Sequence, residues 1–218
     1  MRILIGYSMR SGSTLLQHIL GQHSSISASS DLSSFVPMLL GRGLRQGSTA
    51  LCLKPMDLLF LSSFLWRCAA RRFDRFIWLT RDPRDSYLSS LDSGYAYLLW
   101  PPGPKASGVD LWLLRRWKRI SARYLEAPEG WHLVRYEDLV TKPEEVIRNL
   151  FDYLGLSAEK LLPFSRFSLL HGGDYKIRRT STVHSRSVTR YKEKLSTEQL
   201  GVFHRLLGPE MQAFGYKV

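Results

Sequence analysis

The chain has 218 residues, 44% of them hydrophobic and 23% charged, a balance that excludes collagen-like, low-complexity and wholly disordered chains. Its 31 Lys and Arg against 19 Asp and Glu give a formal net charge of +12, which suits a nucleic acid, an acidic membrane face or a small polyanion as partner. Two cysteines are too few for a disulfide scaffold, and Cys52 and Cys68 read as buried thiols in a reducing, cytoplasmic compartment, with a single bridge between them left open.

Arg2 to Tyr7 reads as a buried strand that runs into the turn Ser8-Met9-Arg10-Ser11-Gly12 and then a helix from Ser13 to Leu20. The apolar run at Ile3 is far too short for a secretory or membrane-spanning segment, so none is expected. The Ser-rich run Ser24 to Ser34 is too short for a linker and receives no assignment. Short apolar runs at Ala50 to Leu53, Phe76 to Thr80 and Trp131 to Arg135 each adjoin a helix-like stretch, the pattern of buried parallel strands. Pro55 to Arg72, rich in Leu, Phe and Trp, predicts a largely buried helix. Ser89 to Gly108, with Gly94, Tyr95, Tyr97, Trp100, Pro101, Pro102 and Pro104, predicts a loop of aromatic character.

Asp110 to Leu125 predicts an amphipathic helix, in which Arg115, Arg116, Lys118, Arg119 and Arg123 interleave with Leu111, Leu114, Trp117 and Ile120. Thr141-Lys142-Pro143-Glu144 has capping-box spacing and opens a helix that Gly155 stops. Residues 165–195 carry Arg166, Lys176, Arg178, Arg179, Arg186, Arg190, Lys192 and Lys194 against Asp174 and Glu193, a basic loop of the kind found near an anion site. Ser196-Thr197-Glu198-Gln199 opens the last helix, which Gly208-Pro209 is expected to interrupt. The alternation predicts an α/β protein, a three-layer α/β/α fold on a mostly parallel central sheet, with residues 1–218 as one domain.

A small-residue turn between a buried strand and a helix N-terminus presents unpaired backbone N–H groups in the positive field of the helix dipole, and anions bind there. In Arg10-Ser11-Gly12-Ser13-Thr14, Gly12 permits close backbone approach, Ser13 and Thr14 add hydroxyls and Arg10 adds charge. The kinase phosphate loop fails to match: five residues separate Gly6 from Gly12, and Ser13 stands where its lysine would be. A second anion motif lies at Phe76-Ile77-Trp78-Leu79-Thr80-Arg81-Asp82-Pro83-Arg84-Asp85, a buried strand ending in charge, with Ser89 eight positions after Arg81. Arginine forms a charge-assisted fork on a phosphate and a hydroxyl on the next helix closes its other side.

At these two motifs the sequence resembles the sulfotransferases that use 3′-phosphoadenosine-5′-phosphosulfate (PAPS), and the arginine at position 10 is similar to the bacterial and tyrosylprotein-type branch. The resemblance implies a P-loop-like sulfotransferase fold and transfer of a sulfuryl group to an acceptor hydroxyl, with 3′-phosphoadenosine-5′-phosphate (PAP) as product. It implies that Arg10, Ser11, Gly12, Ser13 and Thr14 hold the 5′-phosphosulfate and that Arg81 and Ser89 hold the 3′-phosphate. It further gives Tyr136 to adenine, and Thr189, Arg190 and Lys192 to the 3′ end, although a half-buried core tyrosine explains Tyr136 equally well. Tyr136-Glu137-Asp138-Leu139 followed by Lys142-Pro143-Glu144 resembles the family's late strand and helix.

Sulfuryl transfer needs two oxygens in line and a cation on the departing phosphate. Arg10 fits the second need, Lys54 matches a lysine that approaches the sulfuryl group in the family, and no metal is expected because the histidines and cysteines form no ligand pattern. Asp31, 21 residues after Arg10, matches the catalytic glutamate of the tyrosylprotein branch and is the implied general base, against a plain helix-capping role. Met56 stands where the cytosolic branch has its histidine, which leaves Asp57 as a second candidate. The acceptor could be a small-molecule phenol or lipid alcohol, a saccharide or a peptide tyrosine, walled by residues 32–47, 95–108 and 166–179, with no nucleic-acid partner. A P-loop small-molecule kinase and a non-catalytic polyanion binder are the competing readings.

Overall fold

The computed structural model describes residues 1–30, 47–94, 97, 101–162 and 182–218. Five strands, β1 (Arg2–Tyr7), β2 (Ile26–Ser30), β3 (Ala50–Lys54), β4 (Arg75–Thr80) and, after a two-stranded hairpin of β5 (Lys105–Ala106) and β6 (Val109–Asp110), β7 (His132–Arg135), are in place. β1 to β4 and β7 form one parallel sheet in the order β2-β3-β1-β4-β7. The helices are α1 (Ser13–Leu20), α2 (Ser63–Ala70), α3 (Pro83–Asp92), α4 (Leu111–Leu125), α5 (Tyr136–Thr141), α6 (Pro143–Leu154), α7 (Tyr191–Lys194) and α8 (Thr197–Ala213).

The two-residue period of β1 feeds two cores. Ile3, Ile5 and Tyr7 pack with Leu16 and Ile19 of α1, Leu139 of α5 and Leu150 and Phe151 of α6. Leu4 faces the other side, with Phe60, Leu114, Trp117 and Ile120, and with Val202, Phe203 and Leu207 of α8. Helices thus cover both faces, which is the expected three-layer α/β/α arrangement, and burial on both sides explains why the central strands read as continuous apolar runs. The chain leaves β1 toward β2 on one side and β4 toward β7 on the other. That reversal opens a crevice at the carboxyl ends of β1 and β4, where parallel α/β sheets bind ligands.

Several local expectations change. The unassigned Ser-rich run contains edge strand β2, paired from Ile26 opposite Ala50 to Ser30 opposite Lys54; a polar edge strand carries no apolar signal and is set by its partner. Pro55 to Arg72 is not one buried helix but a 3₁₀ turn, Asp57–Leu61, then α2, because the extended backbone of Ser62 breaks the path while its hydroxyl caps Leu65 N. Phe64 and Leu65 of α2 are exposed, and so is Cys68; Cys52 is buried, its thiol pushed up to about 12 by burial, and both cysteines are free. α3 continues to Asp92, so Ser89 is helical rather than the start of a loop. Thr141 does not cap α6. Its hydroxyl donates back to Glu137 O, and Lys142 is the N-cap with Pro143 in the first turn. Ser196 and Gln199 do form the capping box of α8, which runs on through Gly208-Pro209 to Ala213 while Leu207, Met211 and Phe214 keep its face in the core. Among the described residues no helix is long and apolar enough to cross a membrane.

Gly6 lies where β1 passes under two tryptophans: a Cβ there would sit 2.5 Å from Trp78 Cε3 and 2.8 Å from Trp131 Cζ3. Gly6→Ala should therefore overpack this layer and lower stability by about 1–3 kcal/mol, read from the shift in denaturant midpoint. His18 of α1 is lowered to about 4 by burial and then by the nearby charge of Lys54. A base with a depressed native pKa contributes stability that is intact above about 6.5 and is lost as pH falls toward 4, because the unfolded chain takes up the proton first. Melting temperature should fall across that window by the uptake of up to one proton, and His18→Gln should flatten this part of the profile.

Candidate functional site

The crevice is built from the turn that follows β1. Arg10 and Gly12 both adopt left-handed backbone conformations, φ 64° and 90°, and Ser11 folds inward, its hydroxyl donating to Ser8 O at 2.7 Å. The turn delivers the chain into α1, whose first intrahelical bond is Leu16 N to Gly12 O at 3.1 Å. By helix geometry the amides of Ser13, Thr14 and Leu15 then open outward at the positive end of the dipole. Any side chain on Gly12 would collide with the ring of Tyr136, so the turn and the first residue of α5 fit only because that position is glycine.

Arg81 closes the crevice from the end of β4. It is 4% exposed and holds two separate segments: Nη1 donates to Arg10 O at 3.0 Å, and Nη2 donates to Ser187 O at 2.7 Å. Its guanidinium carbon lies 4.5 Å from the centroid of the Tyr136 ring, and its buried Nε has no hydrogen-bond partner among the described residues. Ser89, on the second turn of α3, accepts from Arg10 Nε at 3.2 Å. Arg10, Arg81, Ser89 and Tyr136, drawn from four places in the sequence, thus line one cavity of about 320 Å³ with Gly12, Ser13 and Thr14.

The far wall is the basic segment before α7, contributing Thr182, Val183, His184, Arg186, Ser187 and Arg190. Asp85 fastens it: its carboxylate accepts from Thr189 N at 2.7 Å and Tyr191 N at 2.9 Å, with Thr189 held at φ 61°. Burial pushes the Asp85 carboxyl up, while Arg81 and the two amides pull it down. Tyr136 shares a 2.6 Å hydrogen bond with Ser187, and Arg190 pairs with Asp92 at 2.6 Å. Beneath this, Glu137 accepts from Asp82 N at 2.9 Å and from Tyr216 OH at 3.1 Å, and the Asp82 carboxylate grips Arg84 at 2.7 Å. These links fix the residue next to Arg81 to α5 and to the C-terminus.

The remaining sequence candidates sit apart from the cavity lining. Ser11 spends its hydroxyl on the turn, Lys192 is exposed, and Thr189 contributes its amide rather than its side chain. Lys54, 2% exposed, turns to the α1 side, with Nζ 3.4 Å from Tyr7 OH, which in turn donates to Pro55 O at 2.8 Å. Asp57 is buried on the α4 side and pairs with Arg116 at 2.7 Å; burial raises its carboxyl more than Arg116 and Lys54 lower it. Asp31 lies outside the described residues, as do 32–46 and 166–179 of the expected acceptor walls. Among the described residues no group of three or more His, Cys, Asp or Glu could hold a metal ion. Asp85, His184, Arg186 and Ser187 were not picked out as site residues by the sequence; only the basic surplus of residues 165–195 pointed toward that wall.

Residues 74–160, which include Arg81, Ser89 and Tyr136, match the model of the Sulfotransferase family. No curated protein matches the chain in sequence. Among solved structures it is similar to the sulfotransferase domain from the curacin biosynthetic pathway, at 18% identity and a TM-score of 0.69 over 99% of this chain and 98% of that one. The sulfotransferase domain of the Synechococcus PCC 7002 olefin synthase matches at 17% identity and a TM-score of 0.72, over 100% and 95% of the two chains. A mouse sulfotransferase, SULT7A1, complexed with PAP, matches at 13% identity and a TM-score of 0.66, over 97% and 84%. At these identities the three structures establish the fold, which is that of sulfotransferases, and the family pattern is matched over the stretch from β4 past α6.

Proposed function

We propose that this protein is a sulfotransferase that uses PAPS as its donor and transfers the sulfuryl group in line to an acceptor hydroxyl, releasing PAP without a metal. The observation that carries the reading is the convergence of two anion-binding elements in one cavity: the α1 N-terminus with Arg10, and Arg81 with Ser89. Two such elements suit a nucleotide phosphorylated at both ends, and the buried, unpartnered Nε of Arg81 leaves a donor for one of them. The PAP in the mouse relative is consistent with this assignment.

When bound, the donor supplies an activated sulfuryl group and a phosphate leaving group. Arg10 and the amides of Ser13 and Thr14 bind the 5′ end and neutralise charge as it develops on the leaving oxygen. Arg81 and Ser89 bind the 3′-phosphate, Tyr136 supports the adenine side, and Arg190 closes the basic wall, held there by Asp92. Proton removal from the acceptor falls to a carboxylate. Asp31 is the family-matched choice, and among the described residues Asp57, three residues past the end of β3, is the second candidate, raised by burial and oriented by Arg116. Residues 1–218 acting as one domain in a cytoplasmic setting complete the reading.

PAP should raise the melting temperature, by an amount equivalent to about 2.7 kcal/mol at one hundred times its Kd, and ATP should do so far less. Arg81→Ala should weaken PAP binding roughly 10- to 100-fold, the loss of a charge-assisted hydrogen bond. Arg10→Ala should abolish turnover in a protein that still folds by circular dichroism. Equal protection by PAP and ATP would remove the donor assignment.

A further inference from the structure

A second groove opens along α4, and we propose that it is the acceptor site, shaped for an apolar hydroxyl compound that also carries an anionic group. The inference rests on the sulfotransferase reading and adds the acceptor's chemistry to it. The groove measures about 300 Å³, within the range that small-molecule sites occupy. Leu61, Pro101 and Trp112 supply its apolar walls.

The wall is pre-formed. Trp112 is 44% exposed, yet its position is determined: a Cβ on Gly103 would lie 2.5 Å from Trp112 Cγ, so the indole stem rests directly on that backbone. Asp110 clamps both partners, accepting from Gly103 N at 2.8 Å and from Trp112 N at 2.9 Å. A large aromatic surface held open to solvent at this fixed place is an apolar contact surface that loses little freedom when a ligand covers it.

The rim is positive. Asp110 is itself 1% exposed and engaged with backbone amides, so its charge is turned inward. Arg115 and Arg119 are exposed and form no ion pair among the described residues. They stand four residues apart on one helix face, where two like charges repel, and an anion between them converts that repulsion into two charge-assisted contacts.

The groove leads toward the reaction. Arg116 lies on its inner side and also lines the small adjoining cavity formed by Ser8, Met9, Ser86 and Ser90, next to the turn that carries Arg10. Its guanidinium holds Asp57 at 2.7 Å and keeps a buried Nε without a partner among the described residues. An acceptor anchored by its anion at Arg115 and Arg119 and by its apolar body on Trp112 would extend its hydroxyl past Arg116 toward Asp57 and the donor.

The test uses 8-hydroxyoctanoate and 1-octanol as acceptors at fixed PAPS, together with calorimetric binding of octanoate in the absence of donor. The expected result is a kcat/KM at least tenfold higher for the hydroxy acid and measurable octanoate binding. Combined Arg115→Ala and Arg119→Ala should raise KM for the hydroxy acid to that of the alcohol and abolish octanoate binding, leaving PAP affinity unchanged. Arg115→Lys with Arg119→Lys should retain the preference, and Trp112→Ala should raise KM for both acceptors. Equal use of the two acceptors by the native protein, or a preference that survives loss of both arginines, would overturn the proposal. So would octanoate failing to bind while phosphatidylserine vesicles capture the protein through Arg115 and Arg119, which would make the patch a membrane face. Failure of the donor assignment would show separately, as absence of PAP protection with octanoate binding intact.

Discussion

The site depends on one guanidinium. Arg81, at the carboxyl end of β4, ties the carbonyl of Arg10 to the carbonyl of Ser187 and lies across the ring of Tyr136. Each contact alone is modest, but together they draw a turn after β1, a segment before α7 and the start of α5 around one cationic centre. Arginine suits this because its five donors are fixed in a plane, so bonds to two backbone segments set its orientation and leave Nε available. Lysine, a point charge on a flexible stem, could not join the same three segments in one geometry.

Electrostatics explains why so many acids surround a cavity lined by arginines. Asp82, Asp85 and Glu137 lie within the walls, yet each faces an amide, a hydroxyl or a guanidinium of the protein rather than the cavity. Burial raises Asp85 and Glu137, so their ionised forms depend on those donors. The acids therefore brace the architecture, and the cavity itself is lined by Arg10, Arg81, Arg186 and Arg190. Four guanidinium groups thus meet where backbone dipoles add to the positive potential.

The parts legible in the sequence were those whose chemistry resides in side-chain type and spacing. Arg10 to Thr14 and the eight-residue step from Arg81 to Ser89 are of that kind, because a buried strand, a turn and a helix start leave little choice in where such residues point. Much of what was missed depends on backbone groups. Ser187 contributes its carbonyl, and Thr189 and Tyr191 contribute amides to Asp85, groups that almost any residue could supply. β2 was missed because only its pairing with β3 makes it a strand, and Cys68 was misjudged because α2 turns Ala69 inward and leaves its neighbours in solvent. Lys54 stands at the end of β3 as its apolar run implied, and its ammonium lies 3.4 Å from Tyr7 OH, a contact that no spacing in the sequence announces.

The strand order carries a further consequence, for the assembly of the protein during synthesis. β1 is central and pairs with β3 and β4, both of which follow it in the chain, so its two edges stay open until residues 50–54 and then 75–80 have left the ribosome. Until β3 emerges the ribbon Ile3 to Tyr7 has no sheet neighbour, and until β4 follows one of its edges stays open. Delay before β4 emerges therefore prolongs the time during which one edge of this buried strand is open to pairing with another chain.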